Sequence, residues 1–266
     1  MTEVLLALDD ITKSYGAVQA LRGVSFSVAK GEVIALLGDN GAGKSTLVKI
    51  ISGGIEASSG NMRFEGREFR PKSPSEAKAA GIETVYQDLS LCTNVDVVAN
   101  FFMGRELTRN VMGIPVLDER AMEAQVGKAM ASAGTRIPSL RTKVEHLSGG
   151  QRQAIELNRF VHWGGKLVLL DEPFAALGVE QTKRGLEMIR QVAAQGIGVV
   201  IITHIMPQAF QVADRMVVIR QGVVAGDVPT KKTSPDAVIA MITGEATAGT
   251  GQAGSVTPAT SGQRSE

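Results

Sequence analysis

A glycine-rich loop between a strand-like and a helix-like segment places the strongest constraint on how this chain can fold. Residues 38–45 read Gly-Asp-Asn-Gly-Ala-Gly-Lys-Ser and match G-x-x-x-x-G-K-[ST] in full. The nearly continuous apolar run at 32–37 predicts a buried strand of a parallel sheet. Residues 45–51 follow with apolar side chains at helical spacing. Because strand, loop and helix occur in this order, the sequence predicts a phosphate-binding loop.

The loop supplies most of the candidate nucleotide-binding residues. Its glycines allow backbone N–H groups to approach phosphate oxygens, and the next helix adds the positive end of its dipole. Lys44 is expected to reach the β- and γ-phosphates, and Ser45 to direct its hydroxyl at Mg²⁺. We predict contacts to the nucleotide from Gly38, Asp39, Asn40, Gly41, Ala42, Gly43, Lys44, Ser45 and Thr46.

An adjacent pair of acids follows a second apolar run. Residues 167–170 predict a buried strand that carries Asp171 and Glu172 to the carboxyl edge of the sheet, where α/β proteins bind ligands. We predict that Asp171 holds Mg²⁺ through water and that Glu172 polarises the attacking water as general base. Adjacent acids at a strand end can also be ordinary surface charges, and the phosphate loop favours the catalytic interpretation.

The remaining apolar runs indicate an α/β protein. Runs at 199–202 and 216–219 alternate with helical segments, which predicts a parallel sheet with crossover helices. Short β-rich runs at 4–8 and 24–28 and a hairpin region at 58–66 lie around the loop.

Two segments differ in texture from this alternating pattern. From about residue 96 to 162, Glu, Ala, Met and Gln occur at helical spacing, interrupted near Gly113 and Pro138, and predict a helical insertion. Residues 245–266 consist of Ala, Gly, Ser, Thr and Gln with almost no apolar anchors, so we predict a disordered tail.

Charge and hydropathy restrict the possible partners. A net charge of +1 over 266 residues offers no basic field for a phosphate backbone, so no nucleic-acid partner is expected. No apolar run approaches the ~20 residues of a membrane span, so membrane association must come through a partner protein. The single cysteine, Cys92, cannot form an internal disulfide and fits a reducing cytoplasm.

Between the loop and the acid pair lies Leu147-Ser148-Gly149-Gly150-Gln151, in an order and position that resemble the ATP-binding-cassette (ABC) ATPases. The resemblance covers residues 5–244. It implies a P-loop NTPase fold, with a RecA-like core around a parallel sheet, an antiparallel β subdomain and a helical subdomain at about 89–163. One cassette would occupy residues 1–244.

The resemblance also implies roles for individual residues. Tyr15 corresponds to the aromatic side chain that stacks on adenine, and its alternative is a partly exposed tyrosine at a strand end. Gln87 corresponds to the glutamine that contacts Mg²⁺, and His204 to the histidine that touches the γ-phosphate, although a lone histidine at a strand end is often structural. Glu172, His204 and Gln87 would be catalytic, and Ser45, Gln87 and Asp171 would hold Mg²⁺.

In such proteins the signature segment serves a second subunit. Ser148, Gly149, Gly150 and Gln151 would face ATP on another copy, which implies a head-to-tail dimer that hydrolyses ATP. The chain departs from the family after the catalytic acid. Phe174 stands where Thr is usual, and Gly178 stands where an Asp would link the two sites.

Residues 81–91 and 94–106, including Gly104-Arg105-Glu106, are similar to ATPase subunits of bacterial monosaccharide importers of the ribose, xylose and fructose group. This implies a membrane permease as partner, a periplasmic sugar-binding protein as indirect partner, and a peripheral position at the cytoplasmic face of the inner membrane. The sugar would never touch the chain, so its identity stays open. The alternatives are another importer or exporter, a soluble ABC ATPase acting on nucleic acid or ribosomes, and a non-hydrolysing regulatory cassette.

Overall fold

A six-stranded sheet with helices on its faces forms the centre of the computed structural model, which describes residues 3–85, 91–132, 137–163, 165–174 and 178–245. The strands are β1 (Val4–Tyr15), β2 (Val18–Ala29), β3 (Val33–Leu37), β4 (Ser59–Phe64), β5 (Arg67–Glu68), β6 (Ile82–Val85), β7 (Thr108–Val111), β8 (Ile114–Leu117), β9 (Leu167–Asp171), β10 (Gly198–Ile202), β11 (Arg215–Arg220) and β12 (Val223–Pro229). The helices are α1 (Lys44–Ile51), α2 (Pro74–Ala80), α3 (Val97–Phe102), α4 (Glu119–Ser132), α5 (Gly149–His162), α6 (Val179–Ala194), α7 (Met206–Val212) and α8 (Pro235–Thr243).

The central sheet confirms the predicted α/β class. Its strand order is β12-β11-β3-β10-β9-β6, and every neighbouring pair except β11 with β12 is parallel. All five residues of β3 and of β10 are buried. Strands covered on both faces need apolar side chains on both faces, which is why these strands are continuous apolar runs in the sequence.

A second, antiparallel sheet has the order β2-β1-β4-β5. Its first two strands have 12 residues each, longer than the β-rich runs at 4–8 and 24–28. The sequence underestimates them because their polar and exposed parts carry no apolar run, and because β1 is irregular between Leu8 and Ile11. One buried cluster joins this sheet to α1 and to one face of the central sheet.

Two further buried clusters complete the packing. One lies on the opposite face of the central sheet under α6, α7 and α8. The other is separate and is formed by α3, α4 and α5. This third cluster belongs to the insertion predicted at about 89–163, whose bounds as a subdomain stay a prediction.

The insertion also contains a two-stranded sheet where only an interruption of helices was expected. β7 and β8 pair through Val111 and Ile114, and all eight of their residues are exposed. Met112 and Gly113 have positive φ angles of 53° and 85°, and Gly113 N–H donates to Asn110 Oδ1 at 2.7 Å. Positive φ at both central residues is the geometry of a tight hairpin turn.

None of the helices within the described ranges combines the length and the apolar character that a bilayer crossing requires. Residues 246–266, which make up nearly all of the predicted tail, lie outside the described residues.

Candidate nucleotide site

The phosphate loop connects β3 to α1 in a conformation that requires glycine at two positions. Gly38 has φ +144°, and a Cβ there would collide with the carbonyl oxygen of Ile219. Gly43 has φ +112°, and its Cβ would lie 2.8 Å from the carbonyl oxygen of Ala20. Both angles lie where other residues are strained, and both positions touch backbone that cannot withdraw easily. The loop is therefore fixed between β11 and β2.

Lys44 begins α1 and turns its ammonium back into the loop. Its Nζ donates to the carbonyl oxygens of Gly38 at 2.6 Å and Asp39 at 2.9 Å. Burial lowers the pKa of Lys44, while the charges of Glu172 and Asp171 oppose that shift. A partly desolvated cation thus faces two carboxylates across the site.

The acid pair lies at the carboxyl end of β9. Burial, and secondarily the charge of Glu172, raises the pKa of Asp171, while Lys44 acts in the opposite direction. Glu172 adopts a left-handed backbone conformation with φ 49°, and its N–H donates to the carbonyl oxygen of Ile202 at 3.0 Å. Such a conformation is uncommon for a residue with a side chain. It turns the chain sharply at the end of the strand.

His204 lies beside Glu172. Its Nδ1 is 2.8 Å from Glu172 Oε1, with the roles of donor and acceptor depending on the tautomer. The His204 side chain is 68% exposed and that of Glu172 is 21% exposed. The two meet because Ile202 of β10 is in register with Asp171 of β9, so the residues after both strands emerge at the same edge. His204 therefore reaches the carboxylate from the solvent side.

A cavity of about 300 Å³ brings most of these groups together. Eight of the predicted residues line it: Asn40, Gly41, Gly43, Lys44, Ser45, Thr46, Asp171 and Glu172. Gly38 and Asp39 hold the lysine through their carbonyl groups, and Ala42, also a loop residue, is buried. The cavity wall also includes Ala20 of β2 and Ile202 of β10, which the sequence did not indicate. Their apolar side chains carry no chemical signal, and only the packing of strands brings them there.

Other predicted residues lie apart from this cavity in the described part of the chain. Tyr15 ends β1, is 49% exposed, and has the Lys13 ammonium 5.3 Å from its ring centroid. Ser148 is the N-cap of α5, where its hydroxyl accepts from the Gln151 N–H at 3.3 Å and its own N–H donates to Gln151 Oε1 at 3.0 Å. Ser148, Gly149, Gly150 and Gln151 are not among the residues that line the cavity.

The structure describes the two positions that depart from the family pattern, Phe174 and Gly178, but not the candidate Mg²⁺ ligand Gln87. Phe174 is buried, with 2% exposure, and Gly178 is exposed. A Cβ at Gly178 would meet no atom within 4 Å. Gln87 lies outside the described residues, so its role stays a prediction.

Comparison with known proteins identifies the family. Residues 21–175 match the family described as ABC transporter. The xylose/arabinose import ATP-binding protein XylG of Sulfolobus acidocaldarius is 44% identical over 239 residues, which cover 90% of this chain and 94% of that protein. The fructose import ATP-binding protein FrcA of Rhizobium meliloti is 43% identical over 224 residues, with 83% and 86% covered.

A solved structure agrees with the fold. The crystal structure of the ADP conformation of MJ1267, an ATP-binding cassette of an ABC transporter, superposes with a TM-score of 0.76 at 26% identity and covers 92% of this chain and 96% of that one. The resemblance carried by the signature segment is thereby confirmed. The chain belongs to the ABC transporter family.

Proposed function

We propose that this chain is the ATP-hydrolysing subunit of a bacterial monosaccharide importer. The observation that carries the proposal is the cavity that joins the Lys44 ammonium to the Asp171 and Glu172 carboxylates at the carboxyl edge of the sheet. Phosphoryl transfer requires positioning and charge stabilisation, and these groups supply both. Relatives named for xylose/arabinose and fructose import support a monosaccharide as cargo.

The loop binds the phosphates of ATP. The Lys44 ammonium is held by two carbonyl oxygens of its own loop. Phosphate oxygens are stronger acceptors because they are charged, so Lys44 exchanges those carbonyls for the β- and γ-phosphates. Backbone N–H groups of the loop and the start of α1 complete the anion site. Tyr15, which lies outside this cavity, stacks on adenine.

The residues present also fit Mg²⁺. In the described part of the chain, no three His, Cys, Asp or Glu side chains form a metal cage, and Mg²⁺ characteristically uses one or two carboxylates with phosphates and water instead. Ser45 and Asp171 line the cavity and would supply such a donor pair. Gln87, which lies outside the described residues, would be a third ligand. A cation there would favour the ionised carboxylate and so oppose the rise in the Asp171 pKa that burial causes. Ser45 and Asp171 would hold the ion, which would supply positive charge against the phosphate groups during transfer.

Glu172 and His204 act on the attacking water. Glu172 accepts a proton from the water as general base. His204 contacts the Glu172 carboxylate, orients that carboxylate and reaches the γ-phosphate. The carboxylate is mostly covered while the imidazole is mostly exposed. This arrangement allows the histidine to respond to a ligand entering from solvent while the base stays in place.

A second copy completes each site. Ser148, Gly149, Gly150 and Gln151 lie outside the cavity of their own chain, and the N-terminal end of α5 has N–H groups suited to a terminal phosphate. In a head-to-tail dimer they face the loop of the partner copy. Hydrolysis therefore requires two chains, and the closure of the dimer is the motion that the permease uses.

The other partners follow from the transport function. A membrane permease holds two copies at the cytoplasmic face of the inner membrane, and a periplasmic sugar-binding protein delivers the sugar from outside. Nucleic acid is not a partner. The chain contacts the permease and never the sugar.

The test is transport in proteoliposomes. The chain is reconstituted with its cognate permease and ATP, and uptake of labelled pentoses and hexoses is measured together with phosphate release. ATP-dependent uptake of one of these sugars is expected, and none with a Lys44→Ala subunit. Failure to co-purify with any membrane protein, combined with strong RNA association, would reject the importer function.

A further inference from the structure

A glycine inside a helix near the catalytic acid has a steric explanation. Gly185 lies in the middle of the 16-residue helix α6 and is buried. It is not among the glycines with positive φ, so the helix backbone does not require glycine there. Glycine weakens helix interiors relative to alanine, and its presence therefore points to a lack of space.

The missing space is filled by Phe174. A Cβ at Gly185 would lie 3.0 Å from Cζ and 3.2 Å from Cδ1 of the Phe174 ring, and closer still to Cε1. Contacts of this kind are shorter than side chains normally tolerate. The ring thus rests directly on the bare backbone of α6, and it belongs to the same buried cluster as Leu170 and Ile189.

This ring is only two residues from Glu172. Pro173 lies between them, and its fixed φ removes one of the few rotations by which the backbone could absorb a displacement of the ring. On its other side Glu172 is tied to β10 by the N–H that donates to Ile202 O. The left-handed backbone of Glu172 is therefore held between two fixed points, and its carboxylate meets His204 at 2.8 Å.

We propose that Phe174 and Gly185 are a pair of positioning residues for Glu172. Contact of the Phe174 ring with α6 at Gly185 fixes the position and direction of the Glu172 backbone. The backbone in turn fixes the position of the Glu172 carboxylate. This rests on the proposed function of Glu172 as general base. Phe174 stands where the family usually has Thr, and a bare Gly185 is the counterpart that the larger side chain requires.

The first test adds one methyl group. Gly185→Ala is expected to displace the ring and lower kcat for ATP hydrolysis by about 10- to 100-fold, since a misplacement of ~1 Å can cost that much. The KM for ATP and nucleotide binding should change by less than about twofold. Gly127→Ala in α4 is the matched control, because its Cβ would meet only Leu140 Cδ1 at an ordinary 3.7 Å. It should leave kcat unchanged.

Two backgrounds establish through which residue the effect acts. In a Phe174→Leu chain, Gly185→Ala should cost less than about twofold in kcat, because the ring that it displaces is gone. In a Glu172→Gln chain, Gly185→Ala should add no further loss to the slow residual hydrolysis. If Gly185→Ala does not fold, Phe174→Leu alone takes its place. It should lower kcat with unchanged KM.

Other results would overturn the proposal. One such result is an unchanged kcat in both Gly185→Ala and Phe174→Leu, and another is a parallel change in KM and kcat. A third is that Gly185→Ala lowers kcat by the same factor whether Phe174 is present or replaced by leucine. An additional loss in the Glu172→Gln background would do the same. Hydrolysis by Glu172→Gln at the wild-type rate would instead contradict the proposed general base, and that result is independent of position 185.

Discussion

The phosphate loop and the signature segment are both recognisable from short stretches of sequence, yet the molecule holds them in opposite ways. The loop is fixed between β2, which shortly precedes it in the sequence, and β11, which lies much further along the chain, at Arg215–Arg220. The signature segment is organised by its own helix, through a capping box between Ser148 and Gln151. The loop lines the nucleotide cavity, and the signature segment is not among the described residues that line it. A segment can thus be complete as local structure while the function proposed for it needs another molecule.

The loop side of the comparison is tested most strongly by Glu172→Gln. The amide keeps the size of the side chain but loses the base, so hydrolysis should fall by about 10²- to 10⁴-fold while ATP binding persists. Single-turnover phosphate release and nucleotide binding by calorimetry measure the two effects. Glu180→Gln, an exposed acid in the first turn of α6, serves as control and should hydrolyse normally. Loss of ATP binding in Glu172→Gln would contradict the assigned role.

The signature side is tested by Ser148→Arg. The large arginine side chain should obstruct the phosphate site of the partner copy and reduce hydrolysis by about 100-fold. The variant chain should still bind ATP at its own phosphate loop. Ser234→Arg removes an equivalent N-cap from α8 and controls for loss of capping, which costs about 0.5–2 kcal/mol.

Mixed dimers separate the two halves directly. A Ser148→Arg chain paired with a Lys44→Ala chain contains one site in which both motifs are intact. Mixing the two inactive chains should therefore restore about a quarter of wild-type hydrolysis, because half of the random dimers are mixed. Restoration is expected because Gly178 provides no carboxylate to couple the sites. A dimer that forms but shows no recovery would contradict this arrangement.

A smaller effect is expected on the stability of the loop side. Because burial and Glu172 raise the pKa of Asp171, stability falls as the pH rises from the unfolded-state pKa of about 4 to the raised folded value, and the loss is complete above it. Asp171→Asn should raise the Tm of the nucleotide-free chain at pH 8 by about 2–4 °C. The gain should vanish as the pH falls towards about 4, where the unfolded carboxyl is protonated. Thermal melts across pH test this, with the exposed Asp9→Asn as control. A Tm gain of Asp171→Asn that grows at low pH would contradict the raised pKa of Asp171.

The smallest effect is expected at Gly178, the position where the family has an Asp that links the two nucleotide sites of a dimer. Gly178 is exposed and has open space at its Cβ position, so Gly178→Asp should change the free energy of unfolding by less than about 0.5 kcal/mol. The added carboxylate should raise the Hill coefficient of ATP hydrolysis without changing the maximal rate greatly. Gly178→Ala should leave the Hill coefficient as it is. Equal Hill coefficients in all three chains would mean that the carboxylate does not link the sites.

Buried strands and exposed strands of this fold differ in how well the sequence predicts them. Strands β3, β9 and β10 were predicted as buried parallel strands because burial on both faces leaves a continuous apolar run. The hairpin of β7 and β8 was missed because its residues are all exposed and so follow no burial pattern. In the site, Lys44, Asp171 and Glu172 were predicted together from their chemistry. Ala20 was not, since an alanine carries no chemical signal.

The sequence by itself determined the phosphate loop, the acid pair, the signature segment and the α/β class, because these depend on patterns of residues within a few positions of each other. Only the tertiary structure decided that Glu172 and His204 touch across 32 residues, that Ala20 forms a wall of the cavity, and that Phe174 rests on Gly185. Those contacts arise from the register of parallel strands and from the space between packed elements. Local periodicity encodes neither distance nor free volume.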